Sequence, residues 1–189
     1  MIKLRLITLA TLLIALSLPR IAFADGGKIG ARAGYQLSNI YKNSSSLNEQ
    51  ALNSFYIGIF SEHKIVPLLS IGSGLEYSQV GSVDDRHISI KMHYLGVPTY
   101  LKLKLGPVYA LAGGTLNFKI GEQWELKNEK VDPTGPAKWF DIPVYGGIGV
   151  QILIFRIEAR YHWGTFSLYD KPLLGYKTQY LQIGVAVAI

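Results

Sequence analysis

Residues 155–163, Phe-Arg-Ile-Glu-Ala-Arg-Tyr-His-Trp, alternate without a fault between apolar and polar side chains. Successive side chains of an extended strand point to opposite faces. Phe155, Ile157, Ala159, Tyr161 and Trp163 therefore share one face, and Arg156, Glu158, Arg160 and His162 the other. A helix would scatter both kinds around its circumference, and a strand covered on both faces would leave three charges without water. Two environments remain: a sheet with water on its charged face, or a closed barrel that turns that face inward.

The same period recurs along the chain. Strand-like stretches are expected at roughly 28–38, 54–62, 69–79, 90–105, 108–120, 139–152, 155–166 and 179–189, eight in all, with the second the least regular. Long polar connections at 39–53, 80–89, 121–138 and 167–178 alternate with short ones at 63–68, 106–107 and 153–154. Long loops at one end and tight turns at the other is the layout of an outer-membrane barrel. Pro98 and Pro143 fall inside strands, where each removes a ladder donor, and they are expected to mark bulges or bends.

The amino terminus carries Lys3 and Arg5, an apolar run from Leu6 to Leu18, and Ala22-Phe23-Ala24 before Asp25. This reads as a secretory signal peptide, residues 1–24, leaving 25–189 as one domain. No later segment offers the roughly 20 apolar residues of a membrane helix, so a membrane-spanning form must be a barrel. Cleavage removes Lys3, Arg5 and Arg20 and no acid, which lowers the formal charge from +6 to +3. The remaining cations are dispersed, and no nucleic-acid partner is expected. With no cysteine, the chain uses no disulfide.

Glycine decides which face meets lipid. Gly30, Gly34, Gly72, Gly74, Gly96, Gly147, Gly149 and Gly184 all fall on the charged face. On a wet sheet they would only weaken strands, whereas inside a narrow barrel they make room for large side chains. Tyr35, Phe55, Tyr77, Phe118, Phe140, Tyr161 and Trp163 fall on the apolar face near the long-loop end, as an aromatic girdle would, and Phe155 is the counterpart at the other end.

The expected fold is therefore all-β: an eight-stranded antiparallel up-and-down transmembrane β-barrel of a Gram-negative outer membrane, with both termini periplasmic. Its polar, side-chain-filled lumen would hold Arg32, Glu76, Lys102, Lys104, Asp141, Arg156, Glu158 and Arg160 as a structural ion network, together with Glu62 and Lys119.

The stretch Tyr94-Leu-Gly-Val-Pro-Thr-Tyr-Leu-Lys-Leu-Lys-Leu-Gly-Pro-Val-Tyr-Ala-Leu-Ala-Gly-Gly-Thr-Leu-Asn-Phe, residues 94–118, resembles the fourth and fifth strands of the small outer-membrane β-barrel family common in Bacteroidota, often labelled porin family. Glu158-Ala-Arg-Tyr-His-Trp-Gly is similar to that family's penultimate strand. The resemblance implies a barrel fold and a membrane, and no defined activity.

Chemistry finds little to work with. The best catalytic arrangement is His162 with Thr165 or Ser167, a lipid-modifying reading weakened because His162 faces the lumen and not the bilayer. His63, His87, His93 and His162 lack metal-ligand spacing, and Asp84-Asp85 reads as a solvated loop pair. Gly146-Gly147-Ile148-Gly149 lies inside a strand, not before a helix, so it cradles no phosphate. No cofactor is expected. The leading expectation is a non-enzymatic outer-membrane protein surrounded by lipid that presents loops 39–53 and 121–138, or its barrel wall, to a partner. Trp124 and Trp139 at the margins of the second loop are either anchors for that partner or the top of the aromatic girdle. The alternatives are a subunit of a secretion or assembly complex, a lipid-modifying enzyme, and a narrow channel.

Overall fold

The computed structural model describes residues 27–42, 45–46, 50–83, 88–126, 129–131, 138–165 and 176–189. The expected leader 1–24, Asp84, Asp85, His87 and Ser167 lie outside the described residues. Eight long strands form the body: β1 (Lys28–Lys42), β2 (Gln50–Val66), β3 (Leu69–Val83), β4 (Ile88–Leu105), β5 (Val108–Leu126), β6 (Val144–Ile152), β7 (Phe155–Trp163) and β8 (Tyr176–Ala188). Each pairs antiparallel with the next in sequence, and β8 pairs with β1 from Gly30↔Ala188 to Lys42↔Tyr176. The sheet is thus a closed eight-stranded antiparallel barrel.

The registers fix its geometry. Starting at Lys28 and stepping from partner to partner leads through Glu62, Gly72, Tyr100, Gly113, Tyr145, His162 and Tyr180 to Ser38, ten residues beyond the start on the same strand. Eight strands with this offset tilt about 40° to the axis and enclose an interior just wide enough for side chains to fill.

Several strands run past the bounds expected from composition. Much of 80–89 and 121–138, read as loop, is ladder: Val83 pairs with Ser89, Ile88 with Leu126, and Trp124 with Val131 of a short strand at Glu129–Val131. Beyond the apolar band both faces tolerate polar side chains, while the backbone groups still need partners. Polar composition therefore does not end a strand there. Ser45–Ser46 likewise folds back on Tyr41 and Lys42.

The prolines do not mark bulges. Around Pro98 the β3–β4 ladder lapses between Ser73↔Thr99 and Glu76↔Gly96, yet the register on either side is the same. Pro143 interrupts the sixth crossing into Phe140–Asp141 and β6, again with no slip: Asn117↔Asp141 and Gly114↔Val144 belong to one register, and Thr115 N–H donates to the Pro143 carbonyl at 2.9 Å. Each proline interrupts the ladder locally without shifting its register. The register shifts lie elsewhere, at Ala51/Tyr56, Lys64/Val66 and His93/Tyr94.

The tight turns are Pro67-Leu68, Gly106-Pro107 and Leu153-Ile154. Gly106 and Leu153, each first in its turn, have φ of 64° and 54°. A positive φ at the first loop position is the type II′ pattern that favours glycine, and leucine is strained there. Leu153→Gly is expected to be more stable than Leu153→Ala by about 1 kcal/mol in denaturant titrations of vesicle-reconstituted protein, since both lose the side chain and only glycine relieves the backbone. Equal stability would show the turn to be unstrained.

Candidate functional site

Polarity is inverted about the barrel wall. Ile148 is 70% exposed and Ile157 64%, while Arg32, Arg156 and Arg160 are at most 3% exposed. The alternation that sorts the two sets is the one visible in β7, whose charged face points into the lumen.

Three carboxylates organise the interior. Glu62, near the short-turn end, accepts from both terminal nitrogens of Arg156 at 2.7 and 2.8 Å, from the Tyr100 hydroxyl at 2.8 Å, and from Lys102. One layer deeper, Glu158 accepts from Arg32 at 3.2 Å and from the Tyr109 hydroxyl at 2.9 Å, with Arg160 Nε 3.4 Å away. Glu76 accepts from Arg160 at 2.9 Å and from Gln182 at 2.8 Å. Arg32 links the layers by donating to Tyr100 at 2.9 Å, its guanidinium lying over the Phe60 ring at 4.3 Å. A buried charge is costly unless paired and hydrogen-bonded, and these three acids each hold at least two donors.

The glycines explain how the rings fit. A Cβ on Gly72 would lie 2.3 Å from Tyr100 Cζ, and one on Gly149 would lie 2.3 Å from Tyr109 Cζ. The two tyrosines whose hydroxyls reach Glu62 and Glu158 thus lie flat against glycine backbone on neighbouring strands.

Toward the long-loop end side-chain amides replace the arginine–glutamate pairs. Gln182 donates to Gln36 at 2.7 Å, and Gln36 in turn donates to the Gln79 carbonyl at 2.6 Å. Asp141 stands apart from the cations, accepting from Thr178 at 3.0 Å and from the Ile142 N–H at 2.8 Å. Lys104 and Lys119 are only partly buried, and Lys119 pairs with Glu122.

His162 is walled in. Its ring stacks between Tyr145 and Tyr180 at centroid distances of 4.5 and 4.2 Å, and Nε2 sits 2.9 Å from the Gln182 amide oxygen. Thr165, offered by sequence as its nucleophile, is exposed and donates instead to the Ile142 carbonyl. The structure does not bring the two together, because His162 and Thr165 lie on opposite sides of the wall. Sequence reasoning missed the Gln36–Gln182 bridge across the β8–β1 seam. Nothing in the alternation distinguishes a glutamine that bridges strands from one that meets water.

The aromatic set lies on the outer face. Phe55 and Tyr77 are 5.8 Å apart, Tyr161 and Trp163 4.8 Å, and Trp139 packs 6.0 Å from Phe118 and 4.9 Å from Phe140. Tyr35 is half exposed on the same face. Tyr77 bonds His93 Nδ1 at 2.7 Å and Tyr161 donates to Gln179 at 2.9 Å, so each has an apolar body and a polar handle. Trp139 belongs with these rings, not with a free loop tip. The Trp124 side chain lies outside the described residues. At the short-turn end the exposed rim is aliphatic apart from Phe155.

No family model and no curated protein matches the chain. Solved structures do. The chain is similar to Ail, the attachment invasion locus protein of Yersinia pestis, with a TM-score of 0.53 and 13% identity over 86% of this chain and 99% of that one. It is also similar to Neisserial surface protein A, with a TM-score of 0.57 and 14% identity over 86% of this chain and 97% of that one. At these identities the likeness is one of fold: this chain is a closed eight-stranded antiparallel barrel of the kind those surface proteins adopt.

Proposed function

We propose that this protein is a non-enzymatic integral outer-membrane protein of a Gram-negative bacterium, whose filled lumen is structural and whose long-loop end or outer wall meets a partner. One observation carries the reading: a ring of strands with no free edge encloses Arg32, Arg156, Arg160, Glu62, Glu76 and Glu158 and presents isoleucine, leucine and valine outward. In water that surface would be an aggregation hazard, and in hydrocarbon it is the required one. Residues 1–24 serve as the export leader in this reading, and both termini lie in the periplasm. The interior supports structure over conduction, because Arg32, Arg156 and Arg160 are buried in the lumen and held by acids.

Fractionation tests the proposal. The mature protein is expected to sediment with outer-membrane markers, to resist urea extraction, and to migrate faster on gels unheated than boiled. Recovery in the soluble periplasmic fraction would overturn it.

A further inference from the structure

The mouth of the barrel at the short-turn end is a pocket of about 310 Å³, and its lining is lopsided in charge. Lys28, Lys64, Lys102, Lys104 and Arg156 face it, against the single acid Glu62. Glu62 is already saturated: Arg156, Lys102 and Tyr100 between them occupy both of its oxygens. Glu158 and Glu76 are committed to Arg32 and Arg160 deeper in the lumen. Among the described residues, no ion pair engages Lys28, Lys64 or Lys104.

The floor of this pocket is built, not incidental. Lys102 and Arg156 line it while only 3% and 2% exposed, and Arg156 Nε is buried without a hydrogen-bond partner. Like charges crowded in a concave, partly desolvated site raise one another's energy and focus an attractive field on anions. A structural network alone would interleave acids here, as it does one layer deeper.

We propose that this mouth binds a phosphate-bearing anion. A phosphate group near neutral pH carries about 1.5 to 2 negative charges and several acceptor oxygens, which suits three unpaired ammonium groups above a guanidinium better than a lone carboxylate would. The pocket is roomier than phosphate requires, so an esterified group fits as well. That group is either a soluble phosphate ester or a phospholipid headgroup reaching over the apolar rim at Leu68 and Leu105.

The test is a titration of the folded, isotope-labelled protein in a phosphate-free non-ionic detergent, following the amide signals of Lys104 and Gly106. The additions are inorganic phosphate, dihexanoyl phosphatidylglycerol below its micelle concentration, and sodium chloride at matched ionic strength. Saturable shifts with phosphate or the lipid and none with chloride are expected, with affinity at least tenfold weaker in the double variant Lys28→Gln/Lys104→Gln. Should that variant fail to show heat-modifiable mobility, Lys64→Gln on the exposed rim is expected to weaken binding severalfold. Tighter binding of phosphatidylglycerol than of phosphate by tenfold or more identifies the headgroup as ligand, and equal or weaker binding identifies the soluble ester. Absence of saturation, equal shifts with chloride, or binding unchanged in the variants would overturn the proposal.

Discussion

Replacing Glu62 by alanine is expected to destabilise the folded barrel by about 3–5 kcal/mol, measured by urea unfolding in phospholipid vesicles. The loss has a specific origin. Arg156 would remain charged at 2% exposure with no acid to face it, and Lys102, 3% exposed, would keep its charge only at a similar cost or give up its proton, because Glu158 and Glu76 are already held by Arg32 and Arg160. The Tyr100 hydroxyl would lose its acceptor as well. Glu62→Gln keeps the volume and one acceptor oxygen but not the charge, so it should cost most of the same amount. Combining it with Lys102→Met should recover part of the loss, since one of the two buried basic groups left without a partner is then gone. A Glu62→Ala protein within about 1 kcal/mol of the parent would show the layer to be freely hydrated instead.

The second large effect lies on the opposite face. Ile148 is at the middle of β6, 70% exposed, beside Ala110 and Ala159 on the neighbouring strands. Ile148→Arg is expected to cost about 2–4 kcal/mol in vesicles, the penalty for a cation at bilayer mid-depth on a barrel exterior. The same change on a sheet exposed to water would move stability by no more than about 0.5 kcal/mol. The substitution thus separates a membrane wall from a wet one. Ile152→Arg, at the strand end, is the internal comparison and should cost about 0–1 kcal/mol.

Period-two alternation made the strands legible because it encodes the one fact a barrel wall must obey, that neighbouring residues live in different solvents. It sorts Arg156 from Ile157 with no knowledge of the fold. It is silent on partners. Glu62 meets Arg156 across 94 positions of sequence, and Gln182 meets Gln36 across 146, through a closure that only the full set of registers produces. The strand ends were hidden for a different reason. Above the apolar band both faces of a hairpin are wet, so the pattern that announces a strand fades while the ladder continues, as it does from Ser82↔Ile90 to Val83↔Ser89. Proline misled in the opposite sense: at Pro98 and Pro143 the missing donor was absorbed by a lapse in the ladder, and the chain kept its register.

The walk from Lys28 to Ser38 gives the wall a parity. Every step lands on an inward-facing residue, and the return is displaced by an even number, as any consistent inside and outside demands. Lineages descended from this chain can therefore lengthen or shorten a mid-wall strand only by two residues at a time, since a change of one would put arginine into oil and leucine into the lumen for the rest of that crossing. Among the described ladders, single-residue irregularities are already accommodated at the shifts near Ala51/Tyr56, Lys64/Val66 and His93/Tyr94, each toward a rim. Length variation among true relatives should accordingly come in even steps within the wall and in steps of either parity at the rims and in the loops, a signature that would persist after side-chain identity has faded.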